Sequence, residues 1–235
     1  ESVRRFKFEE LFTMQLMLLM LKDAEEKIQN GISFKNAEAE NKISEFISVL
    51  PFELTEGQKK VWREISANMD DCRTMNRLVI GDVGSGKTVL AVLAMLKAII
   101  AGYQAVFMAP TEILAEQHYN AVSKMLSPFN IKVWLVTGAL NAKEKRETLS
   151  AIESGEAKCI IGTHALIQPT VKYGKLGLAV TDEQHRFGVR QRAMLSEQEN
   201  TPDVLVMTAT PIPRTLALIL YGDMDISALK TLPRG

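Results

Sequence analysis

From about Phe52 onward, short apolar runs alternate with longer stretches whose apolar positions recur every three or four residues. Short apolar runs suit buried strands, and longer periodic stretches suit amphipathic helices. The pattern predicts strands at Leu78–Ile80, Ala105–Met108, Lys132–Val136, Cys159–Ile161, Leu178–Thr181 and Val204–Met207. Helices are predicted between them at Glu56–Asn68, Lys87–Ile100, Glu112–Leu126, Ala142–Glu153 and Pro211–Tyr221. Strand–helix alternation of this kind implies an α/β fold with a central, mainly parallel sheet flanked by helices.

Ahead of this region the pattern changes. A helix from about Phe8 to Asn30, stopped by Gly31, is apolar almost all round and includes Leu16–Leu21. That apolar run is too short to span a bilayer, and it lacks the basic flank and cleavage site of a signal peptide. The helix therefore needs cover on several sides, from this chain's core or from a further domain. Lys35–Lys42 reads as a solvated helix face or connector. Residues 1–49 form an N-terminal helical linker segment in this reading, and 50–235 form the α/β domain. Leu232–Gly235 reads as a linker cut open.

The chemistry concentrates in Gly81-Asp82-Val83-Gly84-Ser85-Gly86-Lys87-Thr88, which has the complete Gly-x-x-x-x-Gly-Lys-Ser/Thr spacing of a phosphate-binding loop. Successive backbone N–H groups wrap a phosphate only where side chains do not obstruct the approach, hence the glycines. Lys87 brings a point charge to the β/γ-phosphates, and the Thr88 hydroxyl is placed to ligate Mg²⁺. An apolar run precedes the loop and a helical stretch follows, so the helix N-terminus faces the anion. The run implies binding of a nucleoside triphosphate.

Composition narrows the partners. The chain has 235 residues, with 28 basic and 28 acidic, so no global field attracts a polyanion and any nucleic-acid contact must be local. Cys72 and Cys159 stand far apart with no Cys-x-x-Cys pair, which argues against zinc and favours a reduced cytoplasmic compartment.

Two further stretches extend the site. Asp182-Glu183-Gln184-His185 follows an apolar strand, where acids of parallel sheets meet the ligand crevice. Asp182 can hold Mg²⁺ through its water shell, and Glu183 can orient and polarise the attacking water. A solvated acidic turn is the plainer alternative. In Thr208-Ala-Thr210-Pro-Ile-Pro-Arg214, Thr210 can cap a helix that Pro211 begins, and the same rigid turn can sense loss of the γ-phosphate.

Gly81–Thr88, Asp182–His185 and Thr208–Thr210 together resemble the ATP-site motifs of superfamily 2 helicase motors. The strings Ala109–His118, Gly162–Leu166, Asp182–Gly188 and Thr208–Leu216 are similar to those of the RecG family. These are bacterial ATP-dependent DNA helicases that remodel stalled replication forks and branched intermediates such as Holliday junctions. Transcription-repair coupling translocases are the related alternative, but they typically carry Glu where this chain has Gln184. Ile80 stands where the RecG family usually has Gln.

The resemblance covers about residues 50–235 and implies a RecA-like P-loop domain using ATP and Mg²⁺. It implies that Phe52, Thr55 and Gln58 read the adenine, although Thr55 suits helix capping equally well. Gln184 and His185 join the nucleotide site. Pro110, Thr111 and Glu112, with Gly162, Thr163 and His164, correspond to loops that hold the DNA backbone. Thr208, Thr210 and Arg214 correspond to the coupling segment. Taken on their own, His118 and His164 read as ordinary packed or surface histidines.

Motors of this class bind ATP between two RecA-like domains, the second supplying an arginine finger. No second sheet or Gln-x-x-Gly-Arg-type segment is present in these residues, nor is a wedge-type DNA-binding domain. The expectation is a first motor domain, nearly inactive alone, from a monomeric DNA-binding protein. A GTPase would need an Asn-Lys-x-Asp string, which is absent; a non-catalytic adaptor would lack Lys87 or Glu183, which are present.

Overall fold

The computed structural model describes residues 31–138, 140–182, 201–209 and 224–229, with positions 5, 8, 9, 12, 13, 16, 17 and 20 of the N-terminal segment. Helix α1 (Ala37–Val49) begins where the Asn36 side chain accepts from the Glu38 amide. Helix α2 (Glu56–Asp70) begins with a reciprocal capping box between Thr55 and Gln58. Strand β1 (Asn76–Gly81) leads through the P-loop into α3 (Lys87–Ile100). Then come β2 (Gln104–Met108), α4 (Glu112–Leu126), β3 (Val133–Val136), α5 (Ala142–Glu153) and β4 (Cys159–Gly162). A short 3₁₀ turn (His164–Ile167) precedes β5 (Leu176–Asp182), and β6 (Asp203–Thr208) and β7 (Asp225–Leu229) follow.

The seven strands are ordered β3-β4-β2-β5-β6-β1-β7, and every neighbouring pair is parallel. Side chains alternate across the sheet as the strand period requires. Val79, Phe107, Ile161, Val180 and Leu205 enter one core, where α3 contributes Leu90, Leu93 and Leu96. Val106, Ile160 and Ala179 enter the core on the opposite face, under Ile152 of α5 and Leu166. Residues Val89 to Ala98 of α3 are buried without exception. That helix is therefore enclosed by the sheet on one side and by α1 and α2 on the other.

The predicted helices Lys87–Ile100, Glu112–Leu126 and Ala142–Glu153 form over those residues, and each predicted strand has a counterpart. The predicted helix Pro211–Tyr221 lies outside the described residues. Strand β7 was not predicted. It is short and interrupted by Asp225 and Ser227, and Arg77 of β1 holds both polar groups, donating to Ser227 Oγ at 2.6 Å and facing Asp225 at 3.5 Å.

The Lys35–Lys42 stretch leads into α1 and, Ala39 apart, forms its mostly solvated start, while the opposite face of the helix packs inward. Ala39, Ile43 and Phe46 of α1 are buried, and Ile43 and Phe46 belong to the same core as α3. Glu40 reaches the wholly buried Lys97 of α3, whose Nζ also binds Asp70 and Ser66 of α2, at 2.7–2.9 Å. In the N-terminal segment the described positions are helical, and Phe8, Phe12, Leu16, Met17 and Met20 are exposed. The remainder of the helix expected over 8–30 lies outside the described residues. At Gly31, a side chain would collide with the backbone of Arg73 and Thr74, so close chain approach requires glycine there.

Candidate functional site

Three neighbouring strands bring the nucleotide-binding candidates to one edge. In register, Asp182 of β5 lies beside Met207, while Thr208 of β6 lies beside Ile80, one residue before Gly81. Parallel strands thus set the P-loop, the Thr208 segment and Asp182 side by side at their carboxyl ends.

The loop has the shape of an anion cradle. Gly84 and Gly86 have φ of 79° and 84°, a region that excludes most side chains. A Cβ on Gly86 would strike Gln58 Nε2, and one on Gly81 would stand 2.6 Å from Ser85 Oγ. The Ser85 hydroxyl is buried and has no hydrogen-bond partner among the described residues. An orphaned donor in such a loop fits a phosphate oxygen. Lys87 Nζ folds back on the loop, donating to the Gly81 and Asp82 carbonyls at 2.6 and 2.9 Å. Thr88 stands in the first turn of α3. Asp82, Val83 and Gly84 are exposed at the mouth.

Gln58 braces this loop. Its Oε1 accepts from Thr55 N at 2.8 Å, and its Nε2 donates to the Ser85 carbonyl at 2.9 Å. The side chain is 1% exposed, whereas Phe52 leaves its ring open to solvent. Thr55 is the helix cap that its position suggested, with Oγ1 accepting from Gln58 N.

On the opposite side of the site, Asp182 Oδ2 lies 2.8 Å from His118 Nε2. Both side chains are mostly buried, and the imidazole also packs on the Phe107 ring at 4.4 Å. Glu183, Gln184, His185, Thr210 and Arg214 lie outside the described residues. Thr208 is buried at the end of β6.

The DNA-facing candidates collect at the ends of β2 and β4. Thr111 is exposed and caps α4, its Oγ1 accepting from Leu114 N at 3.3 Å. Pro110 precedes it, half-buried. Glu112 uses its carboxylate on the Gly138 amide at 2.7 Å and so ties the loop after β3 to the start of α4. His164 is exposed. Thr163, by contrast, is buried at 3% exposure, so the expected phosphate contact through its hydroxyl is not presented to solvent. Gly162 is also buried, and a Cβ there would collide with the Val136 carbonyl; strand packing demands this glycine. Among the described residues, no group of three His, Cys, Asp or Glu side chains could hold a metal, and no helix is long and apolar enough to cross a membrane.

The family model of DEAD/DEAH box helicases matches residues 55–219, a span that holds the P-loop, Asp182 and Thr208 together. The chain belongs to the DEAD/DEAH box helicase family. Over 235 residues this helicase domain is 53% identical to the ATP-dependent DNA helicase RecG of Streptococcus pneumoniae, covering 100% of the chain and 34% of that protein. Over 234 residues it is 46% identical to the RecG helicase of Bacillus subtilis, covering 99% of the chain and 34% of the relative. A solved structure of RecG bound to a three-way DNA junction is 45% identical, with a TM-score of 0.87 over 99% of this chain and 31% of that one. The helicase domain thus spans about a third of the length of these relatives.

Sequence reasoning read His118 as an ordinary packed or surface histidine; it is packed, on Phe107, but it also meets Asp182. It stands seven positions after Thr111, which places both on one side of α4 about two turns apart. That spacing was visible in the sequence. What it faces was not, because the contact with Asp182 depends on β2 and β5 being neighbours.

Proposed function

We propose that the chain is the first, ATP-binding motor domain of a RecG-type DNA helicase. The parent protein then uses ATP hydrolysis to unwind or remodel branched DNA such as stalled forks and Holliday junctions. The observation that carries this reading is the register placing the P-loop, Thr208 and Asp182 on adjacent strand ends. The relatives named as RecG, one of them bound to a three-way junction, favour it over a transcription-repair coupling translocase.

In this mechanism the amides of residues 82–87 and the Ser85 hydroxyl hold the phosphates of ATP, and Lys87 leaves the loop carbonyls to meet the β/γ-phosphates. Phe52 offers a face for the adenine, while Thr55 caps α2 and Gln58, its amide committed to Thr55 and Ser85, braces the loop. Thr88 and Asp182 are the residues to hold Mg²⁺, which supplies charge neutralisation at the transferring phosphoryl group. Glu183 orients the attacking water, and Gln184 and His185 line the same pocket. Little covalent chemistry is asked of the protein, so positioning supplies most of the rate.

A second RecA-like domain closes the cleft and adds an arginine, and an upstream wedge-type domain engages the junction. Thr111, Pro110 and the exposed His164 hold the DNA backbone, with buried Gly162 and Thr163 shaping the turn that presents His164, while Thr208, Thr210 and Arg214 link hydrolysis to domain movement. The reading carries with it a cytoplasmic, monomeric protein. The test is ATP turnover by the full-length parent with and without forked DNA, beside Lys87→Ala. DNA-stimulated turnover that disappears in Lys87→Ala is the expected result. Turnover indifferent to DNA would reject the motor, and unchanged turnover in Lys87→Ala would reject the P-loop assignment.

A further inference from the structure

The sheet edge is divided between two tasks. Strands β1, β6 and β5 end in nucleotide-site residues, whereas β2 and β4 end in the loops assigned to DNA. The halves meet where β2 lies beside β5, with Met108 level with Thr181. Among the described residues, one side-chain hydrogen bond crosses that seam at the site: His118 of α4 to Asp182 of β5, 2.8 Å. No other described side chain hydrogen-bonds to Asp182.

The chemistry of the pair fixes its direction. An ionised carboxylate only accepts, so His118 carries its proton on Nε2 and donates. Phe107, on β2, packs against the imidazole at 4.4 Å with the rings inclined by 42° and limits its rotation. The donor therefore moves with α4 rather than independently of it. Exposed Thr111 caps the other end of the same helical stretch, about 10 Å away along the axis. A rigid helix gripped at its start and hydrogen-bonded two turns later transmits a tilt or shift from one end to the other.

We propose that His118 is a positioning residue that couples the DNA-facing start of α4 to Asp182, so that DNA engagement sets the carboxylate for ATP hydrolysis. The inference rests on the function proposed above and adds the route by which DNA reaches the nucleotide site. With the His118 bond on Oδ2, Oδ1 keeps its lone pairs for the nucleotide site. A displacement of α4 changes how firmly Oδ2 is held and therefore how Asp182 is aimed.

Geometry supplies the test. A Gln amide nitrogen reaches where imidazole Nε2 stands, whereas an Asn amide nitrogen reaches only the Nδ1 position. In the full-length protein, His118→Ala, His118→Asn and His118→Gln are compared for ATP turnover with and without saturating forked DNA. Forked-DNA affinity, ADP affinity and melting temperature are measured on each. The expected result is a stimulation ratio lowered by about tenfold or more in Ala and Asn and largely restored in Gln, while DNA affinity stays within about twofold. A ratio within about twofold of the parent in His118→Ala would overturn the coupling role. Equal losses in Gln and Asn that track their melting temperatures would overturn it too, because packing on Phe107 would then explain them. If His118→Ala does not fold, the Gln–Asn comparison decides alone. A parent protein that shows no DNA stimulation overturns the motor function itself, and this inference falls with it.

Discussion

Gln58 Nε2 donates to the Ser85 carbonyl across 2.9 Å, so the first turn of α2 supports the P-loop from beneath. The same amide closes the capping box through Thr55 N. One buried side chain thus fixes a helix start and a phosphate loop together.

Gln58→Glu separates these tasks. It retains an acceptor for Thr55 N but replaces the donor to Ser85 with a carboxylate facing a carbonyl. A lost buried hydrogen bond costs about 1–3 kcal/mol, and the melting temperature should fall accordingly. If bracing dominates, affinity for ATP and GTP falls in equal proportion; if adenine reading dominates, ATP alone suffers. Calorimetric titration of both nucleotides distinguishes the two.

Glu183→Gln keeps the side-chain shape and removes the carboxylate proposed above to polarise water. In the full-length protein, nucleotide affinity should hold while DNA-stimulated turnover falls by roughly 10²-fold or more. Near-normal turnover in steady-state assays would transfer the water-positioning role to another residue.

Lys97 is wholly buried, and its ammonium is shared between Glu40 of α1 and Asp70 and Ser66 of α2. Lys97→Ala leaves Asp70 without its cation and opens a cavity in α3. A loss of about 3–5 kcal/mol is expected, with the amides of residues 37–49 exchanging faster as α1 loosens. Urea unfolding and hydrogen exchange measure both effects, and intact protection of α1 would contradict the bridging role.

Asp203 opens β6 in a site where burial pushes its carboxyl well above the ordinary value of 3.8, opposed by a hydrogen bond from Met75 N. The folded state therefore keeps a proton that the unfolded chain releases above about pH 4. The favourable contribution is full below that point and is lost as pH rises through the folded-state pKa. Asp203→Asn mimics the neutral acid at every pH. Its melting temperature at pH 7 should exceed the parent's by at least about 2 °C, and the difference should vanish in acid. Melting curves from pH 4 to pH 8 test the sign.

Much of this was legible because local chemistry marks its own boundaries. Gly86, Thr111 and Asn141 cap α3, α4 and α5 where the sequence places polar or glycine stops, so those three helices begin where expected. The P-loop and Asp182 carry spacing and strand context with them. The features that escaped depend on what lies across the fold. His118 meets Asp182 only because β2 borders β5, and Lys97 lies inside an apolar helix whose ionic partners come from two other helices. Thr163 looked suited to a phosphate by residue type, yet the turn buries it. Strand β7 lacks the unbroken apolar run that marked the others, since Arg77 satisfies its polar side chains from the neighbouring strand.

The uniform direction of the sheet has a practical consequence for spectroscopy. Every return to a new strand must begin at the amino edge, opposite the edge that carries the P-loop, and Cys72 sits in one such return between α2 and β1. It is exposed, while Cys159 is enclosed in β4 with its thiol pushed up to about 12 by burial. A maleimide dye therefore reacts at Cys72 in preference to Cys159, because the thiolate is the nucleophile. The native chain thus offers an attachment point for a fluorophore on the edge of the sheet opposite the P-loop, without an engineered cysteine.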